Sequence, residues 1–140
     1  TGLSLSISTG CSSATQAIGQ AFWMVRQGQI EAAIAGGCEA PFSFGHLKTW
    51  EALRALSADT CRPFSRDRSG IILGEGAAML VLEPLEVARA RGVKIYGELV
   101  GFGMSSDARH IIRPSPEGAA QAIKSALQDA DLRPEQIGYI

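Results

Sequence analysis

Several things are scarce in this chain of 140 residues, and each shortage excludes something. There are three cysteines, Cys11, Cys38 and Cys61, with no CxxC pair among them, and two histidines, His46 and His110. That supply is too thin and too widely spaced for a disulfide framework or a structural zinc site, and it fits a reducing compartment. Net charge is also scarce. Thirteen basic against 14 acidic residues leave a formal charge of -1, so no electrostatic case exists for nucleic acid or an anionic membrane surface. No apolar run approaches the roughly 20 residues of a spanning helix, and the opening residues read as the edge of a strand rather than as a secretory leader. Glycine is plentiful but lacks the dinucleotide pattern. Met79 stands where Gly74-Glu75-Gly76 would need its third glycine or alanine, and Ser106 where Gly101-Phe102-Gly103 would need its third glycine. What is present is ordinary for a globular protein with one modest core: 46% hydrophobic and 19% charged residues.

The most informative stretch is residues 3–27. Leu3, Leu5 and Ile7 alternate with serines, which predicts a strand over residues 3–8, and a Gly10-Cys11 turn follows. Ala14, Ala17, Ile18, Ala21, Phe22 and Val25 then fall on one face of an amphipathic helix, with Ser12 or Ser13 able to cap it and Gly28 a natural stop. Cys11 therefore sits at a strand-to-helix corner, beside the free N–H groups and positive dipole end of a helix. A thiol so placed is pushed toward thiolate, downward from about 8.5, and is a candidate nucleophile. The plainer alternative is a small buried hydrophobe.

Downstream, residues 31–37 (EAAIAGG) read as a short buried strand closed by paired glycines. Leu47, Trp50, Leu53 and Leu56 form a helical stripe whose default role is core packing, and His46 just before it reads as a cap or surface residue rather than a metal ligand. Residues 57–68 are polar and turn-rich, hence loop. Residues 70–83 read as strand, glycine bend and strand; 85–91 as a short charged helix; 93–104 as another strand; and 105–114 as an irregular link carrying Asp107 and His110. Ser115-Pro116-Glu117 opens a further helix with cap, first-turn proline and first-turn acid in place, and Ala119, Ala122, Ile123, Ala126, Leu127 and Ala130 form its buried face. Residues 137–140 read as the start of a strand. Strands alternating with helices argue for a layered α/β architecture. With strand-like segments at both ends and no initiator Met, the chain is expected to be an internal piece of a longer protein.

The run STGCSSATQAIG resembles the nucleophile motif of the β-ketoacyl-[acyl-carrier-protein] synthases, with Gly10 where that family usually has Ala. The runs AIAGGCEA, RALS, CRPFSRDRSGIILGEGAAMLVLE, KIYGELVGFGMSSDARH and SPEGAA resemble consecutive blocks of its elongating, type II members, so the likeness spans essentially the whole chain. DTCRPFS resembles the nodulation-type and polyketide-type ketosynthases, and AFWMVRQG and HLKTWEALR the nodulation-type branch. The resemblance implies a thiolase-like fold, a five-layered αβαβα sandwich. Residues 1–92 would end its N-terminal half and residues 93–140 would start its C-terminal half.

Chemically, the resemblance implies that Cys11 carries the acyl chain and supplies its own N–H to an oxyanion hole. The substrate-binding candidates are Trp50, at a position lining the far end of the acyl pocket, His46, and Asp107 with His110, which match a mobile loop serving the carrier protein. The histidines that assist decarboxylation belong to later family motifs, and His110 is not one of them. No cofactor or metal is implied beyond the 4′-phosphopantetheine that arrives on acyl carrier protein. The expected partners are acyl- and malonyl-loaded carrier protein and a second copy of the chain, with no nucleic acid. The expected location is the cytoplasm, with inner-membrane association in the nodulation-type branch. Two alternatives stay open: a non-catalytic, chain-length-type partner subunit of the same fold, and a thiolase-like acyltransferase acting on coenzyme A substrates.

Overall fold

Residues 2–110 and 113–140 are described by a computed structural model. In chain order the elements are α1 (Ser13–Arg26), β1 (Ala33–Glu39), α2 (Phe44–Ala52), β2 (Gly76–Leu82), α3 (Leu85–Ala90) and α4 (Pro116–Asp129), followed by a single 3₁₀ turn over Pro134–Gln136. β1 and β2 pair as a two-stranded sheet. The chain forms two compact units, one made of residues 1–35 with 80–140, the other of residues 36–79.

In the first unit, α1 follows its apolar spacing and buries Gly19 and Phe22. Gly28, at φ +69°, turns the chain away after it in a conformation that costs glycine nothing. α4 begins as its sequence dictates: Ser115 is the N-cap, its Oγ accepts the Gly118 N–H at 3.0 Å, and Pro116 and Glu117 fill the first turn. The segment 101–103 packs between these two helices. Phe102 points at α1, where its ring lies so close to Gly19 that a Cβ there would overlap it. Gly101 and Gly103 face α4: a Cβ on Gly101 would lie 2.6 Å from the Ala126 carbonyl oxygen, and one on Gly103 would overlap the backbone at Ala122 and Ala126. These glycines are needed for close approach of backbone to helix, which is what the failed dinucleotide pattern left unexplained.

The second unit is held by shorter-range bonds. Ser43 caps α2, accepting the His46 N–H at 3.4 Å. The buried Ser57 hydroxyl donates to Asp59 at 2.9 Å and lies 2.8 Å from the Ser69 hydroxyl. Leu56 and Ile71 form an isolated bridge, and Arg62 reaches Asp59 at 2.6 Å and Asp67 at 3.7 Å. The loop expected over residues 57–68 is present.

Several expected strands are absent as strands. Residues 3–8, 93–104 and 137–140 form no strand among the described residues, and of the strand expected before Gly74 only the bridge at Ile71 forms. A strand is completed by a neighbour's hydrogen bonds, and alternation alone does not supply the neighbour. The stripe on α2 is likewise not core here: the helix stops at Ala52, Leu53 is 56% exposed, and α2 buries no residue. Among the described residues no helix is long and apolar enough to cross a membrane.

Candidate active site

The corner that presents Cys11 is built from the small residues on either side of it, Thr9 and Gly10 before and Ser12 and Ser13 after. Gly10 takes φ +69°, a left-handed conformation that an Ala would adopt only with strain, so the departure from the usual Ala fits this turn. The serines do not cap forward as expected. Ser12 occupies the N-cap position of α1, yet its hydroxyl turns back and donates to the Thr9 carbonyl at 3.0 Å. Ser13 Oγ accepts the Thr9 N–H at 2.8 Å and donates to the Gly10 carbonyl at 2.7 Å. Gln16 Nε2 donates to Ser12 Oγ at 3.2 Å and fixes that hydroxyl from the next turn. Both serines are thus spent on pinning residues 9–10, and Cys11 stands exposed at the start of a 14-residue helix.

A second constellation surrounds Asp107. Its Oδ2 accepts the Ser115 N–H at 2.6 Å and its Oδ1 accepts the Arg109 N–H at 3.2 Å. These two amides, Ser115 foremost, hold its carboxyl below the ordinary carboxylate range. Ser105 Oγ donates to the Gly118 carbonyl at 2.6 Å, so the loop is stitched to the first turn of α4 at two points. Within it Ala108 takes φ +51°, which is strained for a residue with a Cβ. His110 lies exposed three residues after Asp107. Cys11, Asp107 and His110 belong to one unit, and no hydrogen bond joins Cys11 to Asp107.

The other two candidates lie in the second unit, on one face of α2. Trp50 Nε1 donates to His46 Nε2 at 2.8 Å, an i, i+4 pair that makes His46 an acceptor and sets the indole's orientation. The free cysteines Cys38 and Cys61 are also exposed, but neither stands at a helix start.

Two family models match the chain: "Beta-ketoacyl synthase, N-terminal domain" over residues 1–88 and "Beta-ketoacyl synthase, C-terminal domain" over residues 96–140. The chain belongs to the β-ketoacyl synthase family. Among synthase relatives, Nodulation protein E of Rhizobium leguminosarum bv. trifolii is 47% identical over 134 residues, covering 96% of this chain and 33% of that protein. The 3-oxoacyl-[acyl-carrier-protein] synthase 2 of Staphylococcus aureus is 43% identical over 139 residues, covering 94% of this chain and 34% of its own length. A solved type II polyketide acyl-carrier protein in complex with its ketosynthase, bound to the hexaketide, matches with a TM-score of 0.90 and 36% identity, over 95% of this chain and 35% of that one. The chain thus has the thiolase-like fold of the ketosynthases and spans about a third of the length of the curated relatives it matches.

Beside the candidates named from sequence, one charged cluster in the chain has no sequence signal. Asp129 near the end of α4 accepts from three donors: Trp23 Nε1 at 3.1 Å, Arg26 Nη2 at 2.5 Å and the Phe102 N–H at 2.9 Å. The Arg26 bond foremost, with the Phe102 and Trp23 bonds, outweighs desolvation and holds its pKa at about 2. Its partners lie 27 to 106 residues away in sequence, beyond any local pattern.

Proposed function

We propose that the full-length protein is a β-ketoacyl-[acyl-carrier-protein] synthase that holds its acyl substrate as a thioester on Cys11. The observation that carries this reading is the corner itself: an exposed cysteine after a pinned left-handed glycine, two residues ahead of a long helix. The Cys11 thiolate attacks the acyl thioester, a new C–S bond forms, and the phosphopantetheine thiol of the carrier leaves. The backbone N–H of Cys11, just ahead of the helix start, is offered to the oxyanion of the tetrahedral intermediate. Malonyl-carrier protein then loses CO₂, its carbanion attacks the acyl carbon, and the C–S bond to Cys11 breaks to release the β-ketoacyl product and regenerate the thiolate.

The carrier protein as partner is supported by the names of the synthase and ketosynthase relatives. That support also favours carrier-protein substrates over coenzyme A. A second copy of the chain, a cytoplasmic setting, and a division into halves near Val93 belong to the same proposal, as do Trp50 and His46 at the acyl pocket and Asp107 with His110 on a loop serving the carrier. The likeness to Nodulation protein E supports an acyl chain of the nodulation type as substrate.

Incubating the full-length protein with acyl-carrier protein and mapping the adduct by mass spectrometry tests the reading. The acyl group is expected on Cys11, and Cys11→Ala should abolish condensation with little loss of stability, because it removes only a small exposed thiol. An adduct on Cys38 or Cys61 would overturn it.

A further inference from the structure

We infer that Asp129 is a positioning residue for Cys11, acting through α1: its carboxylate locks the far end of the helix that follows directly on the nucleophile's turn. The inference rests on the reading of Cys11 just given, and its geometry comes from the opposite end of the same helix. Trp23 and Arg26 stand in the last turn of α1, and both donate to Asp129. The same carboxylate takes the Phe102 N–H, so one side chain of α4 grips α1 and the segment packed between the helices. That grip is reinforced by contact. Trp23 meets the Phe102 ring edge-on at 5.1 Å between centroids, Arg26 lies over the Phe22 ring at 4.7 Å, and the Phe102 ring is seated on Gly19 without room for a Cβ.

A helix is stiff, so what fixes one end aims the other. Trp23 lies ten residues from Ser13, the first residue of α1, which is about 15 Å along the axis at 1.5 Å per residue, and Cys11 stands two residues beyond that. A tilt of only about 3° at the clasp carries Cys11 by about 1 Å, and a displacement of that size costs on the order of 100-fold in rate. The Asp129 carboxyl, held at about 2, stays ionised at any working pH, so the clasp does not itself titrate there. No other side chain in the described residues gathers three donors from two separate segments in this way.

The experiment uses the full-length protein and three variants, Asp129→Asn, Arg26→Gln and Trp23→Phe. Asn in place of Asp129 turns an amide toward the Arg26 guanidinium, whereas the other two each delete a single partner. Two quantities are read well below each variant's unfolding temperature: kcat and KM for condensation on carrier-protein substrates, and the pH profile of iodoacetamide alkylation at Cys11. The expected result is a loss in kcat of about 10- to 100-fold for Asp129→Asn, smaller for Arg26→Gln and smallest for Trp23→Phe, with KM within about twofold of the parent. The alkylation profile of Cys11 should shift in the same order. A parental kcat and alkylation profile in Asp129→Asn would overturn the inference. If that variant does not fold, parental values in both single-partner variants overturn it equally. Because alkylation is read without turnover, a parent that alkylates at Cys11 but does not condense would sink the catalytic reading and leave the clasp to be judged on alkylation alone.

Discussion

The two compact units differ in how far their bonds reach. Around α1 and α4 the decisive contacts join residues far apart in sequence: Asp129 to Trp23, Asp129 to Phe102, and Gly103 against Ala122 and Ala126. In residues 36–79 the ion pairs and side-chain bonds run mostly between near neighbours, as in Lys48–Glu51, Arg62–Asp59 and Trp50–His46. Phe22 and Phe102 are buried in the first unit, whereas α2 in the second buries nothing. Long-range contacts fix one element against another, and short-range contacts only stiffen the element that makes them. The nucleophile candidate belongs to the unit that is fixed.

The largest break in that comparison should come at Gly103. A Cβ there would overlap backbone atoms of α4, which cannot move aside as a side-chain tip can. Gly103→Ala in the full-length protein should therefore destabilise by about 3 kcal/mol, the upper part of the usual overpacking range. Denaturant unfolding checks it. A loss under about 1 kcal/mol would mean that the segment 101–103 and α4 separate easily.

A middle-sized effect is expected where α4 begins. Ser115 Oγ takes the Gly118 N–H, and the Ser115 N–H goes to Asp107, so one residue serves the helix start and the loop beside it. Ser115→Ala should cost about 1 kcal/mol, as for other N-caps. Asp107 adds a pH dependence with a definite sign. Its folded pKa is lowered, so its contribution is fully present above the unfolded value of about 3.9 and fades as pH falls through the lower folded value. Asp107→Asn should flatten the acid limb of the stability profile, and an unchanged limb would show that another carboxylate governs it.

How much of this could be read from the sequence follows the same division of range. The start of α4 was legible because Ser115, Pro116 and Glu117 act within one turn, and the stop of α1 because Gly28 needs no partner. The Cys11 corner was legible in outline, through motif resemblance and helix periodicity, but the backward bonds of Ser12 and Ser13 were not, since either hydroxyl can face either way. Residues 93–104 misled because alternation announces a strand without naming its neighbour. Asp129, Gly101 and Gly103 were silent, since each is explained by residues in another element. The loop around Asp107 is irregular over its described residues, as its composition suggests, yet its anchoring to the Ser115 N–H belongs to the fold alone.

The smallest effect, and the one that sharpens the comparison most, concerns Gly45. It lies in the first turn of α2, at ordinary φ, and a Cβ on it would meet nothing within 4 Å. Glycine inside a helix costs about 0.5–1 kcal/mol relative to alanine, because its unfolded chain has more freedom to lose. Near the helix start the lower end of that range applies, so Gly45→Ala should stabilise the full-length protein by about 0.5 kcal/mol. The sign is therefore opposite to that at Gly103, for the same substitution. The measurement is the denaturant midpoint of each variant against the parent, with the slope unchanged. Equal signs would end the contrast between the two units. A loss at Gly45 would further show that the α2 surface carrying His46 and Trp50 is closely covered in the complete protein, as an acyl pocket requires.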